Sequence, residues 1–306
     1  MNKVKDYWAD MNLHNKKIAI CFSAQVRTAT HAVESIKRFI GPLWNQCDFF
    51  CHTWAKDTDK LFGAGESLFE NKITIEQSTI TSIQNTYNFK KFKMENWEDV
   101  ALVIPHEPPL FYSWIESVKL KQDYEQEHNF KYDIVVKLRL DNIYSDRISL
   151  TSILEQTQTN SLAVNNVMDN GSVDDFVFAS DSTTSDKLVD WYTVWSKSTK
   201  TYFAQLEMPD FLKQENIKLI NLGIDTNAPN DVCSDIGILR LICLNYNPIT
   251  EYHKCVECDK ILYWGGVNEL NDVCHLSYDE LLDLARRVKT KYNKLPNVLA
   301  HFKDKI

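Results

Sequence analysis

The stretch KIAICFSAQVRT at residues 17–28 decides the fold, because an apolar run typical of a buried strand passes there into a polar turn. Apolar residues then recur at helical spacing from Ala29 to Ile40, where Gly41 and Pro42 end the pattern. A second short apolar run, DFFCHT, follows at residues 48–53. Strand, helix and strand in this order are typical of a βαβ unit, so the sequence predicts an α/β fold with a parallel sheet.

The most strand-like segment in the rest of the chain is YDIVVKLRL at residues 132–140, which is rich in β-branched residues and almost continuously apolar. Periodicity predicts helices at 76–87, 110–130, 183–196 and 209–214, strands at 161–164, 176–179 and 217–220, and a further apolar segment at 236–244. We therefore expect a Rossmann-like, mostly parallel central sheet flanked by helices. This domain is predicted at 17–250, with a polar N-terminal extension at 1–16 and an α-helical, cysteine-containing C-terminal extension at 251–306.

The composition is that of a soluble globular protein: 306 residues, 44% hydrophobic and 25% charged, with a formal net charge of -8. The negative charge argues against a surface built for tight, nonspecific binding to nucleic-acid phosphates. None of the 8 glycines forms a glycine-rich phosphate loop, so side chains or a metal must neutralise the phosphates of any bound nucleotide. With no apolar signal at the N-terminus and no run of about 18 apolar residues, we expect a cytoplasmic protein without a membrane span.

Polar residues follow the first two predicted strands, at the edge where parallel sheets bind ligands. Arg27 is permanently charged and, with amide and hydroxyl neighbours, suits a nucleobase or a diphosphate; the alternative is a capped helix start with a solvated arginine. His52 and Trp54 could contact a base or a sugar; the alternative is a core tryptophan with a hydrogen-bonded histidine. The residues predicted here are Ser23, Gln25, Arg27, Thr28, His52 and Trp54.

Charged residues also end the central strand and precede a later one. Alternation puts Arg139 and Asp141 on one face of the central strand. The Asp141 carboxylate could hold Mg²⁺ or Mn²⁺, and Arg139 could offset phosphate charge; the alternative is a structural ion pair. Asp174 and Asp175 could include a general base, or they could form an ordinary acidic loop.

Cysteine spacing raises the possibility of a structural zinc site. Cys255 and Cys258 form a C-x-x-C pair that Cys274 and His275 could complete. The spacing fits no standard zinc finger, so structural zinc is not expected. Three other cysteines lie in apolar segments and are predicted to be reduced and buried: Cys21, Cys47 and Cys51.

Taken together, these segments resemble a family of small GT-A-type glycosyltransferases found in bacterial surface-polysaccharide clusters and in tailed phages and large viruses. The resemblance is carried by KIAICFSAQVRT at 17–28, DFFCHTW at 48–54, the segment at 110–141, VDDFVFASDSTTSDKLVDWY at 173–192 and MPDFLKQENIKLI at 208–220. It covers residues 17–244 and leaves out the C-x-x-C tail. It implies a GT-A-like fold and a nucleotide-sugar donor that lies across the carboxyl edge of the sheet.

The resemblance also implies how the donor is held. Ser23, Gln25 and Arg27 would lie near the nucleotide and the diphosphate. Tyr112 and Ser113 would line the donor pocket.

The same resemblance implies roles for the acidic residues. Asp141 would take the place of the last aspartate of the family's DxD motif. The first position of that motif is Arg139 here, and an arginine could assume part of the charge-neutralising task of a metal. Asp175 or Asp174 would be the acidic residue near the acceptor.

The implied acceptor is a hydroxyl of a surface glycan or, for a phage source, a hydroxymethylated base in DNA. Basic clusters at 90–93 and 286–291 are the only sequence support for a polyanionic acceptor, and such clusters are more often solvated faces. An alternative function is a noncatalytic binding module that keeps the nucleotide-sugar fold and uses the cysteine-rich tail for partner contacts. A third possibility is a metalloprotein centred on Cys255 and Cys258.

Overall fold

The computed structural model describes residues 13–23, 26, 29–58, 72–75, 77–96, 99–100, 109–144, 147–197, 204–224, 236–241 and 261–263. Several predicted site residues lie outside these ranges: Gln25, Arg27, Thr28, Cys255, Cys258, Cys274 and His275. The predicted terminal helix and nearly all of both extensions also lie outside them, and the domain boundaries stay predictions.

The described strands are β1 (Ile18–Ser23), β2 (Cys47–Trp54), β3 (Lys56–Thr58), β4 (Lys72–Thr74), β5 (Lys91–Glu95), β6 (Ile134–Leu138), β7 (Asn142–Tyr144), β8 (Ser161–Val164), β9 (Phe178–Ser180), β10 (Lys218–Asn221), β11 (Ile236–Leu241) and β12 (Ile261–Tyr263). The described α-helices are α1 (Ala29–Ile40), α2 (Gln77–Tyr87), α3 (Pro109–His128), α4 (Leu150–Leu154), α5 (Ser182–Trp195) and α6 (Ala204–Gln214). Short 3-10 helices precede β1 (Leu13–Asn15) and β2 (Gly41–Gln46).

Seven strands form the central sheet in the order β10-β8-β9-β6-β1-β2-β5. Neighbouring strands pair in parallel except at β9, which runs antiparallel to both β6 and β8. The predicted α/β class and mostly parallel sheet are confirmed. The chain adds β2 and β5 on one side of β1 and then returns to place β6 on the other side, so the strand order reverses between β1 and β6.

Helices cover both faces of this sheet because its central strands are buried on both faces. All of β1 is buried, and its alternate residues enter two separate cores. Ile18, Ile20 and Phe22 pack in the core that includes side chains of α1, α2 and α4. Ala19 and Cys21 pack in the core that includes side chains of α3, α5 and α6. Continuous apolarity in the sequence is what a strand between two helical layers requires.

Two smaller sheets complete the described strands. β7 pairs with β11, and β11 pairs with β12, both antiparallel. β3 and β4 form an antiparallel pair. The apolar segment predicted at 236–244 therefore contains a strand.

The helix α6 begins earlier than the sequence predicts. The predicted start is Pro209, a residue that favours the first helical turn, whereas the helix begins at Ala204. Pro209 lacks the N–H that would bond to the Gln205 carbonyl. That carbonyl instead accepts the backbone N–H of Val173 at 3.2 Å, so a contact from a distant loop satisfies the group that the proline leaves free.

The cysteines in the described strands behave as small apolar residues. Cys21, Cys47 and Cys51 are free and buried, as predicted. Burial raises the pKa of the Cys21 and Cys47 thiols to about 12, so neither ionises near neutral pH. None of the described helices combines the length and apolarity needed to cross a bilayer.

A buried ion network joins α3 to α5. The fully buried Lys121 Nζ donates to Ser182 Oγ at 2.7 Å and to Asp186 Oδ1 at 2.8 Å, and it lies 3.1 Å from Glu125 Oε2. Lys131 Nζ adds an exposed cation 3.0 Å from the same Glu125 oxygen. The buried charges at this contact between the two helices are thus compensated within the protein.

We expect Lys121→Met to lower the free energy of unfolding by about 3–5 kcal/mol, because it leaves buried carboxylates without their main partner. Lys131→Met is the matched control, since it removes a mostly exposed lysine from the same network and should cost less than about 1 kcal/mol. Urea unfolding of the two variants measures both values. Equal losses would contradict a structural role for Lys121.

Candidate functional site

The carboxyl ends of the parallel strands gather polar residues at one edge of the sheet. Ser23 ends β1, and its register partner His52 lies near the end of β2. Phe22 pairs with Leu138, so the next residue along each strand places Ser23 beside Arg139. Ligands of open α/β sheets bind at this edge where the strand order reverses, which here is between β1 and β6. The predicted strand-end residues Ser23 and Arg139 therefore flank the expected crevice.

Arg139 and Asp141 form a bidentate ion pair. Arg139 Nε donates to Asp141 Oδ1, and Nη2 donates to Oδ2, both at 2.9 Å. The Asp141 side chain is fully buried. Burial opposes the charge on Arg139, but Asp141 offsets this and raises the pKa of the guanidinium. The pair matches the structural alternative that the sequence left open.

This pairing bears on the predicted Mg²⁺ or Mn²⁺ ligand. Both Asp141 oxygens accept hydrogen bonds from a guanidinium, so a divalent cation at this carboxylate would lie beside a permanent positive charge. Within the described ranges, no group of three or more His, Cys, Asp and Glu side chains could hold a metal ion. The described residues therefore do not fit a divalent cation at Asp141.

A residue that the sequence reasoning did not single out, Lys137, lies two positions before Arg139 on the same face of β6. Its side chain is 2% exposed, and its Nζ has no hydrogen-bond partner in the part of the chain that the structure describes. Nζ lies 4.8 Å from the ring centroid of Phe178 on the neighbouring β9. Burial lowers the pKa of Lys137 to about 8, against an opposing effect of Asp175.

The structure distinguishes the two adjacent aspartates before β9. Asp174 Oδ2 accepts a hydrogen bond from Asn165 Nδ2 at 2.8 Å, and its Oδ1 accepts the Asp175 N–H at 2.8 Å. Asn165 Oδ1 also accepts the N–H groups of Phe176 and Val177, both at 3.1 Å. Asp174 thus helps to hold the turn. Asp175 is partly exposed and has no such structural contact among the described hydrogen bonds, so its carboxylate is the one available to a ligand.

His52 is buried and hydrogen bonded through both ring nitrogens. Nδ1 lies 2.9 Å from Ser113 Oγ, and Nε2 lies 2.8 Å from Glu95 Oε2. Glu95 also accepts the Tyr112 hydroxyl at 3.0 Å and pairs with Lys93 at 3.1 Å. Because an ionised carboxylate can only accept hydrogen bonds, the contact with Glu95 places the ring proton of His52 on Nε2.

The electrostatics of this cluster favour a neutral ring. Burial lowers the pKa of His52 more than Glu95 raises it. The hydrogen bond from His52, with help from Lys93, lowers the pKa of Glu95 to about 2. The observed contacts are those of the alternative in which His52 is a satisfied core histidine that positions its neighbours. A direct contact between His52 and a donor stays a prediction.

Aromatic rings extend from this cluster. Trp54 and Tyr112 stack with centroids 5.6 Å apart and an interplanar angle of 26°. The His52 ring stands edge-on to both, at 5.0 Å from Trp54 and 5.6 Å from Tyr112. Tyr112 is partly exposed, whereas Ser113 is fully buried, so of these two predicted pocket residues only Tyr112 presents surface to a ligand.

The predicted basic cluster at 90–93 is neutralised by acidic residues. Lys91 Nζ lies 2.6 Å from Glu127, and Lys93 Nζ lies 2.7 Å from Glu116. Lys119 also pairs with Glu116 at 2.7 Å. Lys91 and Lys93 lie in the edge strand β5, and their charges are neutralised by carboxylates of α3. This pairing agrees with a solvated face rather than a groove for a polyanion.

No protein-family model matches the chain, and no curated protein matches it. Solved structures similar to the chain include the galactosyltransferase LgtC in complex with donor and acceptor sugar analogues, at 14% identity over 67% of this chain and 72% of LgtC, with a TM-score of 0.36. An active-site mutant of LgtC is 13% identical over the same shares, with a TM-score of 0.38. The apo form of the glycosyltransferase GlyE from Streptococcus pneumoniae TIGR4 is 14% identical over 68% of this chain and 45% of GlyE, with a TM-score of 0.35. Similarity at this level does not establish a shared activity.

The ion pairs of Glu116 predict a pH-dependent contribution to stability. Burial raises the pKa of Glu116, but Lys119 and Lys93 outweigh it, so the folded-state pKa lies below the ordinary value of 4.5. Its contribution is therefore complete above that ordinary value and is lost as the pH falls below it. We expect Glu116→Gln to cost about 1 kcal/mol near neutral pH and progressively less on acidification, as measured by urea unfolding.

Glu127→Gln is the control for this experiment, because it removes a more exposed carboxylate from the same helix. The stability of that variant should follow the wild type closely at every pH. A Glu116→Gln deficit that did not shrink in acid would contradict the role of the carboxylate charge.

Proposed function

We propose that the chain is a glycosyltransferase that moves a sugar from a nucleoside-diphosphate sugar to an acceptor hydroxyl. One observation carries this proposal: a cationic strand end and an available carboxylate meet at the edge where the strand order reverses. Arg139 supplies the cation, and Asp175 supplies the carboxylate. Asp175 lies close enough to Arg139 for its carboxylate to help raise the pKa of the guanidinium.

During the reaction, negative charge develops on the leaving diphosphate and positive charge at the anomeric carbon, and Arg139 and Asp175 can stabilise these two charges. The bond between the anomeric carbon and the phosphate oxygen breaks, and its electron pair leaves with the nucleoside diphosphate. The acceptor oxygen forms the new bond to the anomeric carbon and releases its proton. Arg139 has five N–H donors, of which Asp141 occupies two, and the other three, which have no side-chain acceptor among the described hydrogen bonds, would donate to phosphate oxygens. Asp175 would accept the acceptor's proton or face the positive charge that develops at the anomeric carbon.

The aromatic residues beside β2 are suited to the other end of the donor. The partly exposed Tyr112 ring gives an apolar wall of the kind that packs against a base or a sugar, whereas Trp54 is only 3% exposed and supports that ring by stacking. Tyr112 is fixed through its hydroxyl to Glu95, which His52 and Lys93 also hold. We propose that this network positions the wall rather than taking part in the chemistry.

For the acceptor we propose a hydroxyl of a small glycan. The net charge of -8 and the pairing of the β5 lysines with acidic residues disfavour a DNA acceptor. Transfer should therefore depend little on salt between about 50 and 200 mM, whereas binding to DNA phosphates falls steeply over that range. A steep loss of activity with salt would point instead to modified bases in DNA.

A screen of nucleoside diphosphates and their sugars by thermal shift, followed by an assay of sugar release and transfer, tests the activity. A ligand at one hundred times its dissociation constant adds about 2.7 kcal/mol to stability, so a specific donor is readily detected. We expect one nucleoside series to shift the unfolding midpoint and its sugar to be turned over. Binding without turnover would favour the noncatalytic module, and neither binding nor turnover would overturn the proposal.

The adjacent aspartates give a matched pair of variants. We expect Asp175→Asn to reduce kcat by about 10²–10⁴-fold with little change in the unfolding midpoint, because its carboxylate serves the reaction and not the turn. Asp174→Asn should cost about 1 kcal/mol of stability through its hydrogen bonds, with a smaller effect on kcat. The reverse pattern would show that the two residues have exchanged roles.

A further inference from the structure

Lys137 is a buried cation that the fold does not neutralise. It lies within β6 and is 2% exposed, and none of the described residues forms a hydrogen bond with its Nζ, which lies 4.8 Å from the Phe178 ring centroid. Charged side chains are almost never fully buried unless they are paired. Lys121 illustrates the ordinary case, since it is equally buried but contacts Ser182, Asp186 and Glu125. The unpaired state of Lys137 therefore needs an explanation.

A second buried polar atom without a hydrogen-bond partner lies on the adjacent strand. Ser23 Oγ on β1 is fully buried and has no hydrogen-bond partner among the described residues. Cys21 is the register partner of Lys137, so Ser23 is the next residue on the same face toward the carboxyl edge. Two orphaned hydrogen-bonding groups thus flank the crevice between β1 and β6. Buried polar groups without partners inside a protein are rare, and a ligand is one way to satisfy them.

The surrounding charges leave Lys137 available to an external anion. Asp141 is engaged by Arg139, and both oxygens of Asp174 accept hydrogen bonds within the turn. Asp175 acts on Lys137 through space, without a hydrogen bond. The four-carbon stem of a lysine lets its ammonium move toward a ligand, whereas the neighbouring guanidinium is held by its bidentate pair.

We propose that Lys137, Arg139 and Ser23 form a subsite for the diphosphate of the nucleotide sugar, in which the two cations do the work usually assigned to a divalent metal. This inference rests on the proposed function. Lys137 would donate hydrogen bonds to phosphate oxygens and stabilise the negative charge that they gain as the bond to the anomeric carbon breaks. It forms no covalent bond and transfers no proton in this step. A diphosphate at this position would explain both the unpartnered Lys137 Nζ and Ser23 Oγ and the poor fit of a divalent metal at Asp141.

The test is calorimetric titration of the full chain with inorganic pyrophosphate in the presence of a chelator and without divalent cations. We expect the wild type to bind pyrophosphate and Lys137→Met to bind it at least about tenfold more weakly, since one charge-assisted contact is lost. Because the variant also removes an uncompensated buried charge, its ligand-free unfolding midpoint should rise above that of the wild type. A purely structural lysine would give the opposite change in stability and no change in affinity.

Two further variants keep the result interpretable. Lys131→Met removes a lysine of the same charge that lies on the surface network, so its pyrophosphate affinity should equal that of the wild type. Ser23→Ala removes only a hydroxyl and should weaken binding by about threefold to tenfold, which tests the subsite even if Lys137→Met does not fold. Unchanged affinity in Ser23→Ala and Lys137→Met, or binding only when Mn²⁺ or Mg²⁺ is added, would overturn the inference.

The subsite and the proposed activity can fail separately. Pyrophosphate binding that depends on Lys137, without turnover of any nucleotide sugar, would leave the anion site in place and remove the transferase. Turnover that requires a divalent cation and is unaffected by Lys137→Met would leave the transferase in place and remove the metal-free subsite.

Discussion

The burial of β6 on both faces is the constraint on which the site depends. This strand lies between β1 and β9 and is covered by both helical layers, so a charge on it has little access to water. The strand nevertheless contributes Lys137 and leads into Arg139. Arg139 is compensated two residues later by Asp141, whereas Lys137 has no such partner. A fold that leaves one of two neighbouring cations uncompensated loses stability there, and binding of an anion would recover it.

The antiparallel strand β9 explains why carboxylates lie near these cations. Because β9 runs opposite to β6 and β8, its amino end lies at the edge where the other strands have their carboxyl ends. The turn that precedes it therefore delivers Asp174 and Asp175 to the same edge. Asn165, which follows β8, holds this turn through the backbone of Phe176 and Val177. One reversal of strand direction thus places an acidic turn opposite a cationic strand end.

Much of this architecture could be predicted from the sequence, and the gaps have physical causes. Apolar runs identify β1, β2 and β6 because these strands are buried on both faces. The strand β5 lacks that signal because it lies at a sheet edge and contains charged residues: its lysines pair with carboxylates of α3, and Glu95 pairs with Lys93 and is hydrogen bonded to His52. The start of α6 before Pro209 could not be predicted, because the N–H that bonds to the Gln205 carbonyl in place of the proline comes from Val173, 32 residues earlier. Local patterns cannot report contacts of this kind.

The site shows the same division between local and long-range information. Alternation along YDIVVKLRL already puts Lys137 on the face of Arg139, so the sequence contained a signal for a second cation. It could not show that Lys137 is unpaired, or that Asp174 rather than Asp175 is held by Asn165, because both facts depend on partners from other strands.

The pairing of Arg139 with Asp141 has a chemical consequence for the whole site. A divalent cation at the carboxylate that ends this strand would lie beside the positive charge of the arginine that binds it. Here the guanidinium donates to both carboxylate oxygens and stays protonated at every accessible pH. In the proposed transferase, the positive charge that faces the diphosphate would then come from the protein. Lys137 on β6 and Arg139 just beyond the end of that strand lie beside Cys21 and Ser23 of β1, which is where we propose that the diphosphate binds.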